Sequence, residues 1–410
     1  MAALLEGIRV LDLTRILAGP WATQNLADMG AEVIKIERPH CGDESRTFGP
    51  PFLRDKETGK ELDAAYYLSC NRGKKSVAVD ISTPEGQELI LKLAEKCDVI
   101  IENYKVNGLK KYGLDYESIK NRLPNIVYCS VTGFGQTGPY AERAGYDYLL
   151  QAMGGLMSVT GEPDNKPGGG PQKIGVAVID IFAGMYAALA ILAALRHRDH
   201  GGGGQHIDIG MLDVSVGILV NQAMNYFVTG KAPQRMGRSH PNITPYEWYH
   251  ASDGHVLFAV GNDNQFARMC RAMDRPELAA DERFATLSAR VANRDALGAI
   301  LAEIVAQKTI DEWVSLMEDA EVPCGPINTI DRVFSDPQVI ARNMALQLDH
   351  PVFGKVPTIA NPMRFSLTPI TYNAAPPVVG QHTEQVLREI LNLDEEQIQS
   401  LAGKGAVEKV

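Results

Sequence analysis

The sequence predicts an α/β protein with a parallel, helix-covered sheet in its first two hundred residues and a separate α+β unit behind it. In the first hundred residues, strand-like runs alternate with single helix-like runs, the order that gives parallel strands covered by helices. After about residue 200 the pattern changes to a long apolar helix, one strand and further helices. The chain has 410 residues, and since domains usually hold roughly 100–200 residues, two or three domains are expected.

The predicted elements of the first half follow local signals in chain order. GIRVLDL is typical of a strand, and PWATQNLADM of a helix that opens at Pro20 and ends before Gly30. AEVIKIE and SVAVDI predict further strands, and Ser82 with Glu85 forms a capping-box pattern that opens the helix EGQELILKLAEKC. DVIIEN and IVYCSVT add two apolar strands, and the crossover connections should be right-handed.

The second half gives coarser boundaries. We expect helices at 182–196 and 209–228, a strand at GHVLFAV, and helices from about Gln265, around 308–320 and from near His382. GEPDNKPGGGPQ predicts a loop, and GGGG at 201–204 a turn. These signals divide the chain into a large domain over 1–200, a smaller domain over 201–325 and a C-terminal part over 326–410.

Composition and charge exclude several classes of function. The formal net charge of −10 disfavours a general binder of nucleic acid or of an anionic membrane. The six cysteines form no CxxC pair and the nine histidines show no ligand spacing, so neither a metal site nor a disulfide framework is expected. We expect a reducing, cytoplasmic location, since the N-terminus MAALLEGIRV also lacks the pattern of a signal peptide.

One apolar run, IGVAVIDIFAGMYAALAILAAL over 174–195, is long enough to cross a bilayer. It contains Asp180, which would cost roughly 2.5–3.5 kcal/mol near a membrane centre. The sequence has no second run of this kind. We therefore expect a buried helix of a large globular protein.

Asp180 is the candidate catalytic residue. It precedes the predicted helix at 182–196, where an acid can serve simply as an N-cap. A carboxylate in this place can also act as a nucleophile that attacks an acyl centre and forms a mixed anhydride. The helix start would keep it ionised and stabilise developing negative charge, while Gly175 and Gly184 would let a substrate approach closely. The residues alone leave both roles open.

Basic residues after the predicted strands indicate an anionic ligand. The first strand-to-helix turn, DLTRILAGPW, lacks GxGxxG, and no P-loop is present, so a dinucleotide dehydrogenase is not expected. Arg38 follows the second strand, where a dinucleotide fold reads the ribose, and an arginine there suits a ribose phosphate such as the 3′-phosphate of coenzyme A. Further basic residues near strand ends are Arg15, Arg72, Lys74, Lys75, Lys110 and Lys111. A solvated surface charge is the alternative role for each of them.

Together these segments resemble the class III CoA-transferase family, which includes formyl-CoA:oxalate and carnitine CoA-transferases. The resemblance covers nearly the whole chain and rests on GIRVLDLTRILAGPWATQNLADMGAEVIKIERP, NRGKKSVAVD, DVIIENY, SVTGFGQTGPYAERAGYDYLLQAMGGLMSVTG, VAVIDIFAGMYAALAILAALRHR, GQHIDIGMLD and GQHTEQVL. It implies that Asp180 is the catalytic aspartate, and that CoA thioesters are substrates without a permanently bound cofactor. It also implies a Rossmann-like large domain built from both chain ends, a smaller domain between them, and an interlocked homodimer.

Carried over position by position, the resemblance implies a set of coenzyme A contacts: Arg15, Ala18, Arg38, Lys74 or Lys75, Asn103, Tyr104, Lys111 and Arg143. Arg15 stands where formyl-CoA transferase has a histidine, and GGGGQ stands where many members read TGRGQ. The first departure leaves the pantetheine contacts open.

Two alternatives to a transferase remain. The related α-methylacyl-CoA racemases carry a catalytic histidine where this chain has Tyr146, and a tyrosine, with a reference pKa near 10, is a poor partner for proton exchange. A non-catalytic CoA-binding scaffold would keep the basic residues but would not need Asp180. Tyr146 and the intact Asp180 segment favour the transferase.

The segments GDESRTFGPPF, YYLSCNRGKKSVAVD, TGFGQTGPYAERAGYD, VPCGPINTIDRVFSDPQV and PPVVGQHT resemble the family members that exchange CoA between succinate and glutarate. A dicarboxylate needs a cation for its second carboxylate, and Arg46, Arg238 and His240 are candidates, with Tyr146 also assigned to the substrate site. The expected partners are acyl-CoA, carboxylate substrates and a second copy of the chain, and neither nucleic acid nor a membrane.

Overall fold

A computed structural model describes residues 3–408 of the chain. The chain divides into two compact units, of which the first holds residues 3–156, 174–220 and 338–408 and the second holds 157–173 and 221–337. The described N-terminal and C-terminal stretches therefore both belong to the first unit, which also contains the candidate site.

The strands, numbered in chain order, are β1 (Arg9–Asp12), β2 (Glu32–Glu37), β3 (Phe52–Arg54), β4 (Glu61–Ala64), β5 (Lys74–Ala78), β6 (Val99–Glu102), β7 (Val127–Thr132), β8 (Gln205–Gly210), β9 (Tyr246–Ala251), β10 (Gly254–Ala259), β11 (Cys324–Pro326), β12 (Ala345–His350) and β13 (Gly354–Ile359).

The α-helices are α1 (Ala18–Asp28), α2 (Ala65–Leu68), α3 (Pro84–Ala94), α4 (Tyr116–Ile119), α5 (Asp147–Met153), α6 (Leu156–Val159), α7 (Val178–His197), α8 (Met211–Gly217), α9 (Val220–Thr229), α10 (Asp263–Ala272), α11 (Glu277–Ala280), α12 (Leu287–Ala292), α13 (Arg294–Val305), α14 (Ile310–Asp319), α15 (Ile330–Ser335), α16 (Pro337–Ala341), α17 (Thr383–Leu391) and α18 (Glu395–Gly403). Short 3-10 helices span Glu44–Thr47 and Lys110–Tyr112, and a π-turn spans Arg198–Gly202.

The centre of the first unit is a six-stranded sheet in the order β5-β2-β1-β6-β7-β8, with every neighbouring pair parallel. This confirms the predicted parallel sheet. The strand order reverses between β1 and β6, because the chain moves outward from β1 to β2 and β5 and then returns to the other side of β1. In an open parallel sheet, ligands bind beyond the carboxyl ends of the strands at such a reversal.

Apolar side chains cover both faces of this sheet. Val10 belongs to the core cluster that includes α1 and α7, while the next residue, Leu11, belongs to the cluster that includes α3, α17 and α18. Successive side chains of a strand point to opposite faces, so a strand buried on both faces must be apolar at nearly every position. This explains the continuous apolar runs in the sequence.

Helix α7 packs one of its faces on α1. Ile179, Ala183, Ala187 and Ile191 are buried at four-residue spacing, which places them on one side of the helix. A Cβ on Gly184 would lie 2.5 Å from the carbonyl oxygen of Ala18, so glycine permits the close approach of the two helices. The other face carries exposed apolar side chains, and the expectation of a fully buried helix is therefore wrong for half of α7: Phe182, Met185, Tyr186 and Leu189 are exposed.

Among residues 3–408, Val178–Gly202 is the one helical segment long and apolar enough to cross a membrane by length and composition alone. Its N-terminal half is anchored on α1 and the sheet, as described above. Its first turn also contains Asp180, an acid that lines a cavity. These features agree with a helix that packs on other protein elements.

The C-terminal stretch returns to the free edge of the sheet at β5. The hydroxyl of Ser76 accepts a hydrogen bond from Gly380 N–H, and the hydroxyl of Thr383 accepts one from Ala78 N–H. Val79 forms an antiparallel bridge with Val407. These contacts pair and cover an edge strand, and unpaired edges invite aggregation.

The second unit has its own antiparallel sheet, in the order β11-β10-β9, covered by α10, α13 and α14. Arg290 is fully buried there and donates to the carbonyl oxygens of Thr244 and Phe284 and to Asp263 Oδ1. An arginine with all these partners holds three chain segments together and is not available to a ligand.

Several predicted boundaries differ from the structure. The N-cap of α3 is Thr83, whose hydroxyl accepts from Gly86 N–H, rather than Ser82. The helix expected over 209–228 is strand β8 followed by α8 and α9, because the chain breaks at Val220, which has a positive φ of 41°. Residues 157–173 and 326–337 group with the second unit, and 201–220 with the first, since β8 and α8 extend the large sheet and its cover.

Candidate active site

Two adjoining cavities lie at the carboxyl ends of the parallel strands. The first, which we call the Arg38 cavity, has a volume of about 350 Å³ and is lined mainly by the segments after β2 and β5. The second, the Asp180 cavity, has a volume of about 380 Å³ and is lined by the segments after β1, β6 and β7 and by the start of α7. Both are lined by Arg15, Glu44 and Tyr104, so they adjoin at these residues. The pair lies at the strand reversal between β1 and β6.

The segment after β1 is held in a strained conformation between the cavities. Ile16 has a φ of 71°, a region that β-branched residues rarely adopt. Its N–H donates to the carboxylate of Asp43, and Asn103 fixes the neighbouring Arg15 by accepting from its N–H at 2.9 Å and donating to its carbonyl oxygen at 2.7 Å. Strained residues persist where surrounding contacts over-determine them, which occurs mainly at functional sites. Asn103 thus shapes the cavity through the backbone.

The Arg15 side chain lies at the junction of the cavities. Its guanidinium is 2.5 Å from Glu44 Oε1 and 4.7 Å from the ring centre of Tyr104. Four residues that the sequence analysis assigned as coenzyme A contacts line the Asp180 cavity: Arg15, Ala18, Asn103 and Tyr104. Ala18 does so because it begins α1, where backbone N–H groups face an anionic ligand.

Arg38 lies directly after β2 and lines the cavity named after it. Its side chain is exposed. Two acids of this cavity are paired from below: Asp43 is 2.9 Å from Lys35, and Glu37 is 2.7 Å from Arg46. Glu44 pairs with Arg15, and Asp80, which also lines the cavity, accepts from Ser82 N–H. Although burial opposes ionisation, Lys35 and Arg46 hold the pKa of Asp43 and of Glu37 below their usual values. The cavity therefore presents Arg38 as a cation for an anionic group.

Two predicted contact residues instead belong to a buried ionic network below the cavities. Lys74 is fully buried, and its ammonium donates to Asp12, to Asn71 and to the carbonyl oxygen of Pro20. Burial lowers the pKa of Lys74, and Asp12 opposes this shift. The prediction that Lys74 contacts coenzyme A is wrong for this structure, because its side chain points into the core. We define the ionic network as Asp12, Lys35, Glu37, Asp43, Arg46, Asp63 and Lys74.

Arg46 is the second predicted contact residue that belongs to the ionic network. It donates to Glu37 through two nitrogens and to Asp63 at 2.7 Å, and its guanidinium stacks 3.6 Å from the ring centre of Tyr67. It lines neither cavity. All its charge is neutralised inside the protein, so the prediction that Arg46 binds a substrate carboxylate is also wrong.

Asp180 is the third residue of α7 rather than an N-cap. Helix α7 begins at Val178, four residues earlier than predicted, and its N-cap residue, Ala177, makes no side-chain capping bond. The carboxyl group is largely buried and lines its cavity with Tyr146 and Asp147. Burial, together with the charge of Asp147, raises the pKa of Asp180 to about 7. Burial and Asp147 thus oppose the effect that we expected of the helix start, which would keep this acid ionised.

Asp147 fixes the start of α7 beside Asp180. Its Oδ1 accepts from Ile179 N–H at 2.7 Å, and its Oδ2 accepts from the amide of Gln151 at 2.7 Å. Gln151 is fully buried, and its Oε1 accepts from Ile174 N–H at 2.9 Å. This chain of hydrogen bonds positions both ends of the turn that carries Asp180. Sequence reasoning missed Asp147, although it is the acid of the AGYD motif.

Arg143, predicted to contact coenzyme A, and Tyr146, predicted to contact the substrate, line the Asp180 cavity. The Arg143 guanidinium lies over the rings of Phe134 and Tyr140, at 5.2 and 4.5 Å from their centres. Tyr146 is 69% exposed. An arginine held on aromatic faces keeps its hydrogen-bond donors for a ligand.

The remaining candidates lie elsewhere. Lys75 pairs with Glu32 at 2.7 Å and lines neither cavity, and Lys111 is exposed beside Tyr112. In the second unit, Arg238 is 3.2 Å from Glu247. His240 Nδ1 accepts from Asn242 N–H, and burial followed by the charge of Arg294 lowers its pKa. The structure brings none of these four into the cavities.

A parallel sheet with an arginine-bearing cavity at its strand reversal, joined to a cavity with a partly buried carboxyl group, is typical of an α/β enzyme that binds an anionic substrate. Comparison with known families identifies the class. Residues 5–383 match the family model of CoA-transferase family III, and the chain belongs to this family. It is therefore an enzyme that uses CoA thioesters as substrates.

Individual relatives are similar over almost their whole length. The succinate–glutarate CoA-transferase of Agrobacterium fabrum is 49% identical over 390 residues, which cover 95% of this chain and 96% of the relative. The succinyl-CoA:glutarate CoA-transferase of Homo sapiens is 43% identical, with 99% and 90% covered. The crystal structure of a CAIB/BAIF family protein from Brucella suis, 49% identical, has a TM-score of 0.83 and covers 95% of this chain and 100% of its own.

Proposed function

We propose that this enzyme transfers CoA from succinyl-CoA to a short dicarboxylate such as glutarate, with Asp180 as the covalent carrier. The observation that carries the proposal is the place of Asp180: a largely buried carboxyl group in a cavity that adjoins the Arg38 cavity. The adenosine 3′-phosphate would bind Arg38, and the pantetheine arm would pass Arg15 and Tyr104 to bring the thioester to Asp180. The names of the Agrobacterium and human relatives supply the acid pair.

The proposed reaction consists of four acyl exchanges. The Asp180 carboxylate attacks the donor thioester, the C–S bond breaks, and an aspartyl–acyl anhydride and CoA thiolate remain. The thiolate attacks the aspartyl carbonyl, and the donor acid leaves with the bridging oxygen. The acceptor carboxylate then attacks the aspartyl–CoA thioester and releases the thiolate, which finally attacks the acceptor acyl carbon and regenerates Asp180. No step consumes or releases a net proton, but each intermediate must be kept from water.

The Asp180 cavity contains cations for the second carboxylate of a dicarboxylate. Lys105 and Arg143 line it in addition to Arg15, whose guanidinium is held by Glu44. Of these, Arg143 offers the planar donor pair that matches a carboxylate. We assign this role to Arg143, in place of Arg46 from the sequence analysis.

We further propose that two copies of the chain associate through the exposed face of α7. Phe182, Met185, Tyr186 and Leu189 present contiguous apolar side chains from one helix, and Leu189 is 64% exposed. Exposed apolar patches of this kind are typical of protein interfaces. Sedimentation equilibrium should report a dimer, and Leu189→Asp should shift it toward the monomer. A wild-type monomer would contradict this part of the proposal.

A matched panel of acids tests the function. Purified enzyme is given succinyl-CoA with glutarate, and in parallel with valerate, which has the same chain length but one carboxylate. We expect transfer to glutarate and little to valerate, and hydroxylamine added with succinyl-CoA should modify Asp180 in a peptide map. In heavy water, 2-methylacyl-CoA should gain no deuterium at its α-carbon. Rapid exchange without transfer to any acid would identify a racemase instead.

A further inference from the structure

Thr132 is a buried residue of the Asp180 cavity whose hydroxyl has no hydrogen-bond partner within residues 3–408. It ends β7 and is 7% exposed. Across the described chain, seven buried side-chain nitrogen or oxygen atoms lack a partner, and three of them, in Arg15, Glu44 and Thr132, belong to residues that line this cavity. Since about nine in ten buried polar groups are hydrogen-bonded, this concentration indicates groups that bind a ligand.

The backbone around Thr132 is rigid. Thr132 is the register partner of Gly210 in β8, and the carbonyl oxygen of the next residue, Gly133, accepts from Leu212 N–H at 2.9 Å. A Cβ on Gly133 would lie 2.5 Å from the Cα of Gly145, so two backbone segments touch directly after Thr132. A hydroxyl on such a fixed strand end keeps its position through a reaction, as a catalytic hydrogen bond requires.

Most N–H groups at the start of α7 already have acceptors in the protein. We expected from the sequence that N–H groups at the start of α7 would stabilise the oxyanion. Three of them have acceptors in the protein: Val178 N–H donates to the carbonyl oxygen of Val176, Ile179 N–H to Asp147, and Ile181 N–H to the carbonyl oxygen of Ala177. With three of the first four N–H groups of α7 already engaged, a negative charge that develops on the acyl oxygen can be stabilised by the N–H of Asp180 and by a donor from another element.

We propose that Thr132 Oγ1 donates a hydrogen bond to the carbonyl oxygen of the acyl group held against Asp180. This inference rests on the proposed function, because it assumes that the thioester reacts in the Asp180 cavity. The hydrogen bond strengthens as Asp180 adds to the carbonyl carbon and the oxygen becomes negative. Thr132 contributes to the reaction without forming a covalent bond.

Thr132→Val removes the hydroxyl and keeps the shape of the side chain. We expect kcat to fall roughly 10²-fold, the size of effect seen when one oxyanion donor is lost, while KM for succinyl-CoA changes less than threefold. Thr132→Ser keeps a hydroxyl and should retain kcat within about tenfold of wild type. In Asp180→Asn enzyme, which cannot form the anhydride, the infrared carbonyl band of bound ¹³C-labelled succinyl-CoA should move to higher frequency when Thr132→Val is added.

Thermal stability separates this role from a structural one. A buried hydroxyl without a partner destabilises the fold, so Thr132→Val should have a Tm equal to or above wild type. Thr23→Val is the matched control, because the Thr23 hydroxyl is fully buried and donates to Asp12 at 2.6 Å. This control should lower the Tm. Loss of activity together with a raised Tm is a combination that a packing role does not produce.

The outcomes are distinct from failure of the proposed function. If wild-type enzyme transfers CoA and Asp180 is trapped, but Thr132→Val keeps its kcat, Thr132 is not the donor and the inference is wrong. If Thr132→Val raised only KM for succinyl-CoA and kept its kcat, the hydroxyl would contact the pantetheine arm. This result would also overturn the inference. A Tm that falls as far as that of Thr23→Val would show a structural hydroxyl. Failure of wild type itself to be trapped at Asp180 would overturn the proposed function first.

Discussion

The ionic network and the Asp180 cavity lie next to each other in the first unit and differ in whether their charged side chains have partners of opposite charge. In the network, Lys35, Lys74 and Arg46 are each buried and held by carboxylates at 2.7–3.2 Å. In the cavity, Asp180 is largely buried without an ion pair among the described residues, and the acid that influences it, Asp147, has the same charge. The network satisfies its charges, whereas the cavity does not.

This difference shows which charged residues remain available to a ligand or a reaction. A buried ion pair makes hydrogen bonds that leave no donor for a ligand, and breaking it costs more than the pair contributes. A buried acid without a counter-ion is costly in the empty fold, and proteins keep such groups at sites where a ligand or a reaction uses them. Lys74 and Asp180 are both charged residues in family motifs, but Lys74 is fully buried, whereas Asp180 is partly exposed and lines a cavity.

The largest expected effect comes from the unpaired acid. Asp180→Asn keeps the size of the side chain but cannot form an anhydride, so transfer of CoA should fall on the order of 10⁴-fold or more. The Tm should stay equal or rise, because the variant removes a buried charge. Steady-state transfer assays with calorimetry on the same sample check both parts. Transfer at more than one hundredth of the wild-type rate would mean that another residue carries the acyl group.

Breaking the ionic network should affect stability rather than substrate choice. Arg46→Met leaves Glu37 and Asp63 buried without their cation, and we expect a loss of about 3–5 kcal/mol in the free energy of unfolding. The matched control is Arg54→Met, because Arg54 is 65% exposed and pairs with Glu61 at the surface, and the change should be within about 1 kcal/mol. Denaturant titrations measure both. If Arg46→Met kept its stability and lost affinity for glutarate alone, the sequence-based substrate assignment of Arg46 would be restored.

A smaller effect is expected at Arg38, the exposed arginine of the Arg38 cavity. Arg38→Ala should raise KM for succinyl-CoA about ten- to a hundredfold, since a charge-assisted hydrogen bond contributes roughly 1.5–3 kcal/mol. KM for the 3′-dephospho thioester should hardly change, because that substrate lacks the phosphate. Arg122→Ala is the control, as Arg122 is exposed, pairs with Glu95 and lines neither cavity. Equal losses with both thioesters would place Arg38 on another part of the ligand.

Sequence reasoning located the sheet and singled out Asp180 because both depend on local patterns. Continuous apolar runs predict buried parallel strands, and an acid within such a run is conspicuous at Asp180. It failed at Lys74 and Arg46, because the sequence does not show which carboxylate a cation meets: Asp12 lies 62 positions from Lys74. It missed Thr132 for the same reason, since a strand-end threonine is ordinary until its partners are known.

The smallest expected effect is the pH dependence of stability, which compares the Asp180 cavity and the ionic network directly. The pKa of Asp180 is raised from 3.8 to about 7 in the fold, so between these values the folded protein binds a proton that the unfolded chain has lost. Stability from this group is complete below about pH 4 and is lost as pH rises through 7, at no more than about 1.4 kcal/mol per pH unit. The network acids Asp12 and Glu37 have the opposite sign, because their lowered pKa values make the fold less stable as pH falls. The difference in unfolding free energy between wild type and Asp180→Asn, measured by denaturant titration from pH 5 to 8, isolates the first contribution. Wild type should become less stable relative to the variant from pH 5 to about 7, and the difference should then level off toward pH 8. Over the same range, kcat/KM should rise toward a plateau with a midpoint near 7, since the carboxylate is the form that attacks. A difference that does not change with pH would mean that Asp180 is ionised throughout, and that the helix start offsets both burial and Asp147.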